Sequence, residues 1–278
     1  MTKKENSNIA SNNSVEGFKK LSIQVSLNGL SFCVFDTLSK SVVSSKNEVF
    51  GQTLNPYELL KKLKRQLSDD QLIDKKFSDV VVVHRNQLFG LVPKPLFDPE
   101  ELANYLKFNT KILANDHLAY DEFDSHDIVN VYVPFVNVNN YIYELFGEFT
   151  FKHNGTVMVE SLLKGQGQTT QPICYVYILE NQMDVTITDQ KDLLLYNSYT
   201  FNTKEDFLYY LLFALEQLKF NTESIQLKLF GAIEEGDPIF ELCYKYVKNL
   251  SIFIPDFGPH SHMEANEDSI DFTVLNAL

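Results

Sequence analysis

Residues Leu21–Leu27 alternate strictly, with Leu21, Ile23, Val25 and Leu27 on one face and Ser22, Gln24 and Ser26 on the other. A period of two predicts a β-strand. Asn28-Gly29 follows, a pair that favours the positive φ angles of a type I′ hairpin turn, and Leu30–Phe35 returns as the second strand. A polar turn at Thr37–Lys40 leads to a third strand over Ser41–Val49. Asn55-Pro56 then opens a helix, with Asn as N-cap, Pro at the first helical position and Glu58 placed to complete a capping box. Beyond it, the run of valines in Asp79–Val83 predicts a buried parallel strand.

Residues 173–254 predict the same order again. Strands are expected at Ile173–Leu179, Met183–Thr188 and Leu193–Asn197, joined by turns at Glu180-Asn181-Gln182 and Asp189–Asp192. Thr203 caps a helix with Asp206 three residues later, and Phe207, Leu208, Leu211, Leu212, Leu215 and Leu218 make that helix apolar over much of its circumference. A strand at Ile225–Phe230, a helix opened by Asp237-Pro238 and a strand at Leu250–Ile254 complete the copy. Three antiparallel strands, a helix, a parallel strand, a helix and another strand is the order of a ribonuclease-H-like lobe. Two such lobes in tandem predict an α/β fold of mixed sheets with the actin-like ATPase architecture.

The intervening chain predicts a helix opened by Asp98-Pro99, an exposed acidic connection over Asp116–Asp127, a strand at Ile128–Phe135, and helices at Asn137–Phe146 and Thr156–Leu163. Gly165–Gln171 reads as a hinge. The expected organisation is a disordered leader over 1–19, lobe I over 20–168 with an inserted acidic segment, lobe II over 169–257, and an acidic tail over 258–278.

Composition narrows the possible partners. The 278 residues are 44% hydrophobic and 13% aromatic, enough for a sizeable core, and 24 basic against 37 acidic side chains give a net charge of −13. A general nucleic-acid or anionic-membrane binder needs a basic footprint, so no such binding is expected. Residues 97–128 carry eight acidic and two basic side chains, and the tail is also acidic, so the folded repeats are expected to be nearer neutral. Cys33, Cys174 and Cys243 lie far apart with no C-x-x-C pair, so neither a structural zinc site nor a disulfide framework is expected, and Cys33 and Cys174, inside apolar alternating runs, read as small buried hydrophobes. Met1–Gly17 has no apolar signal region, and no stretch approaches the roughly 18 apolar residues of a membrane span. A cytoplasmic chain without membrane insertion is expected.

The chemistry of this architecture makes checkable demands. A ribonuclease-H nuclease needs carboxylates on its opening strand to hold metal ions. Leu21–Leu27 and Ile173–Leu179 have none, and Asp36 and Asp184 fall at hairpin ends, where solvated turn residues are expected. No catalytic residue and no metal site is therefore assigned. An ATPase of this fold needs two hairpins whose backbone N–H groups cradle phosphate. The first here, around Asn28 and Gly29, lacks an aspartate; the second, around Asn181, lacks glycine and carries Glu180. A glycine turn after the lobe II strand survives in part as Phe230-Gly231-Ala232, where Gly231 is equally explained as an ordinary turn residue. The candidate cleft residues are Asn28, Gly29, Asn181 and Gly231.

Other features admit plain readings. Lys61, Lys62, Lys64 and Arg65 form a basic cluster on the first helix, either a solvated face or a docking patch for an acidic partner. Lys164-Gly165-Gln166-Gly167 lacks the phosphate-loop spacing and reads as linker. Lys152-His153-Asn154 reads as an ordinary helix entry, and His260-Ser261-His262 lacks a third metal ligand.

The phrases Leu21-Ser-Ile-Gln-Val-Ser-Leu-Asn-Gly-Leu-Ser-Phe32, Gly147-Glu-Phe-Thr-Phe-Lys-His153, Leu195-Tyr-Asn-Ser198 and Glu205-Asp-Phe-Leu-Tyr-Tyr-Leu-Leu-Phe213 together resemble a family of uncharacterised Bacteroidota proteins known as a domain of unknown function. The resemblance spans about Leu21 to Ile254. More remotely, the chain is similar to the actin-like cytoplasmic proteins of type IV pilus and type II secretion assembly. That likeness implies the fold and a bacterial cytoplasmic setting, and supplies no catalytic residue. The expected function is a non-enzymatic scaffold acting on a protein partner or by self-association, with no cofactor. The alternative is a nucleotide-binding assembly switch whose divergent hairpins still hold ATP and Mg.

Overall fold

The computed structural model describes residues 18–255, apart from 114, 125, 168 and 170, and residues 270–278. The leader expected over 1–19 therefore lies outside the described residues except for its last two, and His260-Ser261-His262 lies outside them altogether.

Two five-stranded sheets have the same strand order. In lobe I, β1 (Lys19–Val25), β2 (Gly29–Asp36), β3 (Ser41–Val49), β4 (Asp79–His84) and β8 (Thr150–His153) line up as β3-β2-β1-β4-β8. In lobe II, β9 (Ile173–Leu179), β10 (Gln182–Asp189), β11 (Asp192–Thr200), β12 (Gln226–Gly231) and β13 (Asn249–Ile252) line up as β11-β10-β9-β12-β13. The meanders are antiparallel, and β4, β8, β12 and β13 join in parallel. The opening strands have seven, eight and nine residues in both lobes. Helices α1 (Pro56–Asp69) and α5 (Lys204–Gln217) have 14 residues each and carry the capping boxes Asn55/Glu58 and Thr203/Asp206.

The outer face of each sheet packs on its own helices. Leu21, Ile23 and Val25 meet Leu59, Leu63 and Leu67 of α1 and Val138 and Ile142 of α3 (Val136–Phe146). Cys174, Val176 and Ile178 meet Phe207, Leu211 and Leu215 of α5 and Cys243 of α6 (Pro238–Tyr244). The inner faces turn toward each other across α4 (Asn154–Gly165) and α7 (Phe272–Asn276). Strict alternation ordinarily marks a solvated face, yet Ser22, Gln24 and Ser26 are all buried against this middle layer.

The structure departs from expectation in several places. Val25 pairs with Leu30, so the first hairpin is a four-residue loop in which neither Asn28 nor Gly29 has positive φ. A type I′ turn does not form because the Ser26 hydroxyl accepts bonds from the N–H of Asn28 (3.2 Å) and Gly29 (2.8 Å) and organises the loop itself. Asp98 makes a local turn, and helix α2 begins only at Leu102 (Leu102–Leu106). The acidic connection is not wholly exposed: β6 (Ala119–Glu122) joins β5 (Phe89–Pro93) and β7 (Ile128–Tyr132) in a third, antiparallel sheet of order β5-β7-β6. The interlobe boundary near residue 168 falls on an undescribed residue between the end of α4 and the start of β9.

The acidic tail also differs. Residues 270–278 contain only one carboxylate, Asp271, and otherwise Ile, Phe, Thr, Val, Leu, Asn and Ala. Asp271 caps α7 by accepting from the N–H of Thr273 and Val274, while Phe272, Val274 and Leu275 are buried. Val274 and Leu275 cover Cys33 on the inner face of β2. Phe272→Ala is expected to cost about 3–5 kcal/mol, the usual range for a buried aromatic, read as a lower urea midpoint. Removing residues 270–278 should make Cys33 reactive to a thiol reagent in native buffer, where the intact chain protects it.

Candidate functional site

The seam between the lobes holds most of the chemistry-bearing residues. Arg85 directly follows β4, and its N–H is fixed to the Val25 carbonyl at 2.9 Å. Its guanidinium crosses to lobe II, where Nη2 lies 2.9 Å from Oδ2 of Asp184 on β10, with both side chains almost wholly buried. The guanidinium carbon sits 5.2 Å above the Tyr177 ring. The Tyr177 hydroxyl donates to Asp271 (3.0 Å), and Nε2 of Gln24 donates to the same carboxylate oxygen (2.9 Å). The Thr273 hydroxyl bonds both Asp271 and Gln24. Nδ2 of Asn154, at the start of α4, donates to Asp184 (3.3 Å) and to the Tyr196 hydroxyl (3.1 Å). One polar ring thus joins β1, β4, β9, β10, β11, α4 and α7.

Its electrostatics follow from burial. Burial disfavours the Arg85 charge, but Asp184, Tyr177 and Asp271 outweigh it, and the guanidinium is held cationic beyond its ordinary range. Burial raises the Asp184 carboxyl, with Arg85 opposing the rise. Asp184 is therefore a buried ion-pair partner, where a solvated turn residue was expected. β10 starts at Gln182, which places Asp184 two residues inside the strand on its inner face. All three guanidinium nitrogens of Arg85 and Oδ1 of both Asp184 and Asn154 have no hydrogen-bond partner among the described residues, so the 2.9 Å contact of Nη2 with Asp184 is an ion pair without hydrogen-bond alignment.

A second polar cluster ties the three-stranded sheet to α4. Asp121 of β6 accepts from the His153 N–H (2.8 Å), the Thr156 hydroxyl (2.7 Å) and the Tyr132 hydroxyl (2.9 Å). Burial nevertheless raises its carboxyl to about 6. His153 caps α4 by accepting at Nδ1 from the Gly155 N–H (3.1 Å), which leaves Nε2 to donate to the Asn86 carbonyl (3.1 Å). His84 accepts at Nδ1 from the Phe135 N–H and donates from Nε2 to Asn139. Both imidazoles are buried and pushed down, to about 3 for His153 and about 4 for His84. They serve packing as neutral rings. Gly155 is required here, because a Cβ would lie 2.4 Å from the Tyr196 ring.

The candidate cleft residues are brought together only in part. Asn28, Gly29 and Asn181 line one cavity between the first hairpins of the two lobes, about 20 Å³ in volume, the space of a single water. Ser26 already binds the N–H groups of Asn28 and Gly29, and Glu180 stands on the opposite wall. Gly231 lies instead in a larger cavity of about 780 Å³, floored by Tyr177, Phe230, Phe253 and Phe272. Glu234, Glu235, Asp237 and Asp271 also line it, with no Lys or Arg among its described walls. Gly231 has φ +91°, and a Cβ would come 2.3 Å from the Ile178 carbonyl oxygen, so close packing on β9 demands the glycine.

On α1, Lys62 pairs with Glu48 (2.8 Å), Arg65 pairs with Asp69 (3.5 Å), and Lys64 lies 4.6 Å over the Tyr141 ring. Lys61 faces solvent. Among the described residues no group of three His, Cys, Asp or Glu side chains is arranged to hold a metal ion. No helix among them is long and apolar enough to cross a membrane.

Two sheets of identical order closed over a middle layer define the actin-like ATPase fold. By its sequence the chain belongs to the family described as "Protein of unknown function (DUF3822)", which matches residues 9–250. It is similar to a Bacteroides thetaiotaomicron protein of actin-like ATPase fold and unknown function, at 18% identity and a TM-score of 0.76, covering 94% of this chain and 96% of that one. It is also similar to the PilM-PilN type IV pilus biogenesis complex, at 11% identity and a TM-score of 0.59, covering 92% and 96%. The cytoplasmic domain of EpsL, from the type II secretion system of Vibrio cholerae, matches at 12% identity and a TM-score of 0.45, covering 93% of each chain. Comparison with curated proteins finds no match.

Arg85→Met should cost about 3–5 kcal/mol by stranding Asp184, and Arg85→Met with Asp184→Leu should recover most of that loss in urea titrations. The histidines set an acid limit. Each is neutral when folded and has an ordinary pKa of 6.5, so its contribution is complete above that value and is lost as pH falls toward 4. Asp121 acts oppositely: its raised value favours the fold at low pH, a contribution lost as pH rises from 3.8 through about 6. Two histidines at about 2 kcal/mol each outweigh one carboxyl between pH 6.5 and 5. The urea midpoint should fall over that window, and more steeply in Asp121→Asn.

Proposed function

We propose that this chain is a non-enzymatic scaffold that uses the actin-like fold as an interaction platform. The observation that carries the reading is the narrow space between the two hairpins. Phosphate binding needs free backbone N–H groups and room for the backbone to approach the ligand. Here Ser26 holds the amides of Asn28 and Gly29, and the cavity is about 20 Å³. The cavity beside Gly231 is large enough for a nucleoside, but four carboxylates line it and would repel phosphate. The Arg85–Asp184 pair and α7 tie the lobes together across the same seam, which opposes the opening that nucleotide exchange requires. One of the matched structures is itself a protein complex, PilM with PilN, in type IV pilus biogenesis.

No cofactor is needed for this role, and the partner is another protein or a second copy of the chain. The competing reading is a nucleotide-driven switch. Calorimetric titration of the chain with Mg-ATP separates the two. No heat of binding is expected at millimolar nucleotide, and micromolar binding would overturn the scaffold.

A further inference from the structure

Charge divides the molecule between its lobes. Residues 19–96 carry 12 Lys and Arg against seven Asp and Glu, whereas residues 173–255 carry 12 Asp and Glu against six Lys and no Arg. The repeats are thus not near neutrality, as the acidic connection and tail had implied. They are of opposite sign.

The outer helices display this asymmetry together with exposed aromatic surface. On α5, Glu205, Tyr209, Phe213 and Glu216 follow one another at steps of four, four and three residues, so they share the exposed face. Tyr209 is 63% and Phe213 42% exposed, and their rings stack at 6.1 Å. Two carboxylates thus flank a stacked pair of partly exposed rings. On α1, Tyr57, Lys61 and Arg65 follow at steps of four, Arg65 pairs with the exposed Asp69 one turn further on, and Tyr57 is 77% exposed. Cations one turn apart match rings one turn apart, and cation–aromatic contact strengthens as water is excluded.

α1 covers the outer face of the lobe I sheet and α5 the outer face of the lobe II sheet, on opposite sides of the molecule. We propose that α1 of one copy docks on α5 of the next, Lys61 and Arg65 of the first meeting Tyr209, Phe213 and the flanking glutamates of the second. Pairing α5 with α5 would set glutamate against glutamate, and pairing α1 with α1 would set Lys61 and Arg65 against their like. The contact is therefore head-to-tail, and a heterologous contact that leaves both ends free adds further copies. It deepens the scaffold reading, resting on it in that no nucleotide is required.

Sedimentation velocity of the full chain, without nucleotide, tests the contact over roughly a hundredfold range of concentration. The average mass should rise past the dimer without a plateau and fall at high salt. Lys61→Glu with Arg65→Glu should abolish the rise, as should Tyr209→Ala with Phe213→Ala, with melting curves unchanged. Mixing the two double variants should restore a dimer and nothing larger, because one intact α1 and one intact α5 remain to meet. A chain monomeric at every concentration, a plateau at the dimer, or association that survives both pairs of substitutions overturns the proposal. Mg-ATP binding in the calorimeter would sink the scaffold reading and leave this contact standing, so the two failures are distinguishable.

Discussion

A single guanidinium holds the two lobes in register. Arg85 leaves lobe I at the end of β4 and is neutralised by Asp184 in lobe II, over the face of the Tyr177 ring, whose hydroxyl bonds Asp271 on the returning chain. A charge so completely buried is tolerable only when its partners are held rigidly. The surrounding polar residues do that: Gln24 and Thr273 fix Asp271, and Asn154 fixes Asp184 and Tyr196. The inner face of β1 presents Ser22 and Gln24, followed by Ser26, and that of β9 presents Tyr175 and Tyr177, and all five are buried.

That arrangement bears on how the fold is used. A cleft that works by opening and closing needs a weak seam and unoccupied amides facing inward. Here the first hairpin satisfies its own amides through Ser26, and the seam is crossed by an ion pair, by hydrogen bonds and by the apolar side of α7. Under the scaffold reading, rigidity in the middle leaves the outer helices as the surfaces on which selection can vary contacts.

The repeated meander was legible because its signals are local. Alternation in Leu21–Leu27 and Ile173–Leu179, and the caps at Asn55 and Thr203, each operate within a few residues. The third sheet was not. β5 contains Gly90 and Pro93, and β6 is the tetrapeptide Ala-Tyr-Asp-Glu in an acidic stretch, so neither has a run long enough to show a period. The seam was harder still. Nothing local marks Arg85 or Asp184, since the ion pair exists only once both sheets are folded. The return of residues 270–278 did leave a trace, an Asp cap followed by Phe-Thr-Val-Leu, which net charge counted over the longer segment concealed. Of the candidate cleft, the hairpin residues Asn28, Gly29 and Asn181 line one small cavity, while Gly231 lines another and packs on β9.

The bond from Gln24 to Asp271 closes a loop of 247 residues. Each sheet gains its meander from neighbours in sequence, but this closure gains nothing until both lobes exist to be joined. The seam therefore belongs to the last stage of folding and to the first stage of unfolding. Interactions absent from a folding transition state govern the rate of escape from the native state, so the polar ring around Arg85 sets the lifetime of the closed molecule more than the speed at which it forms.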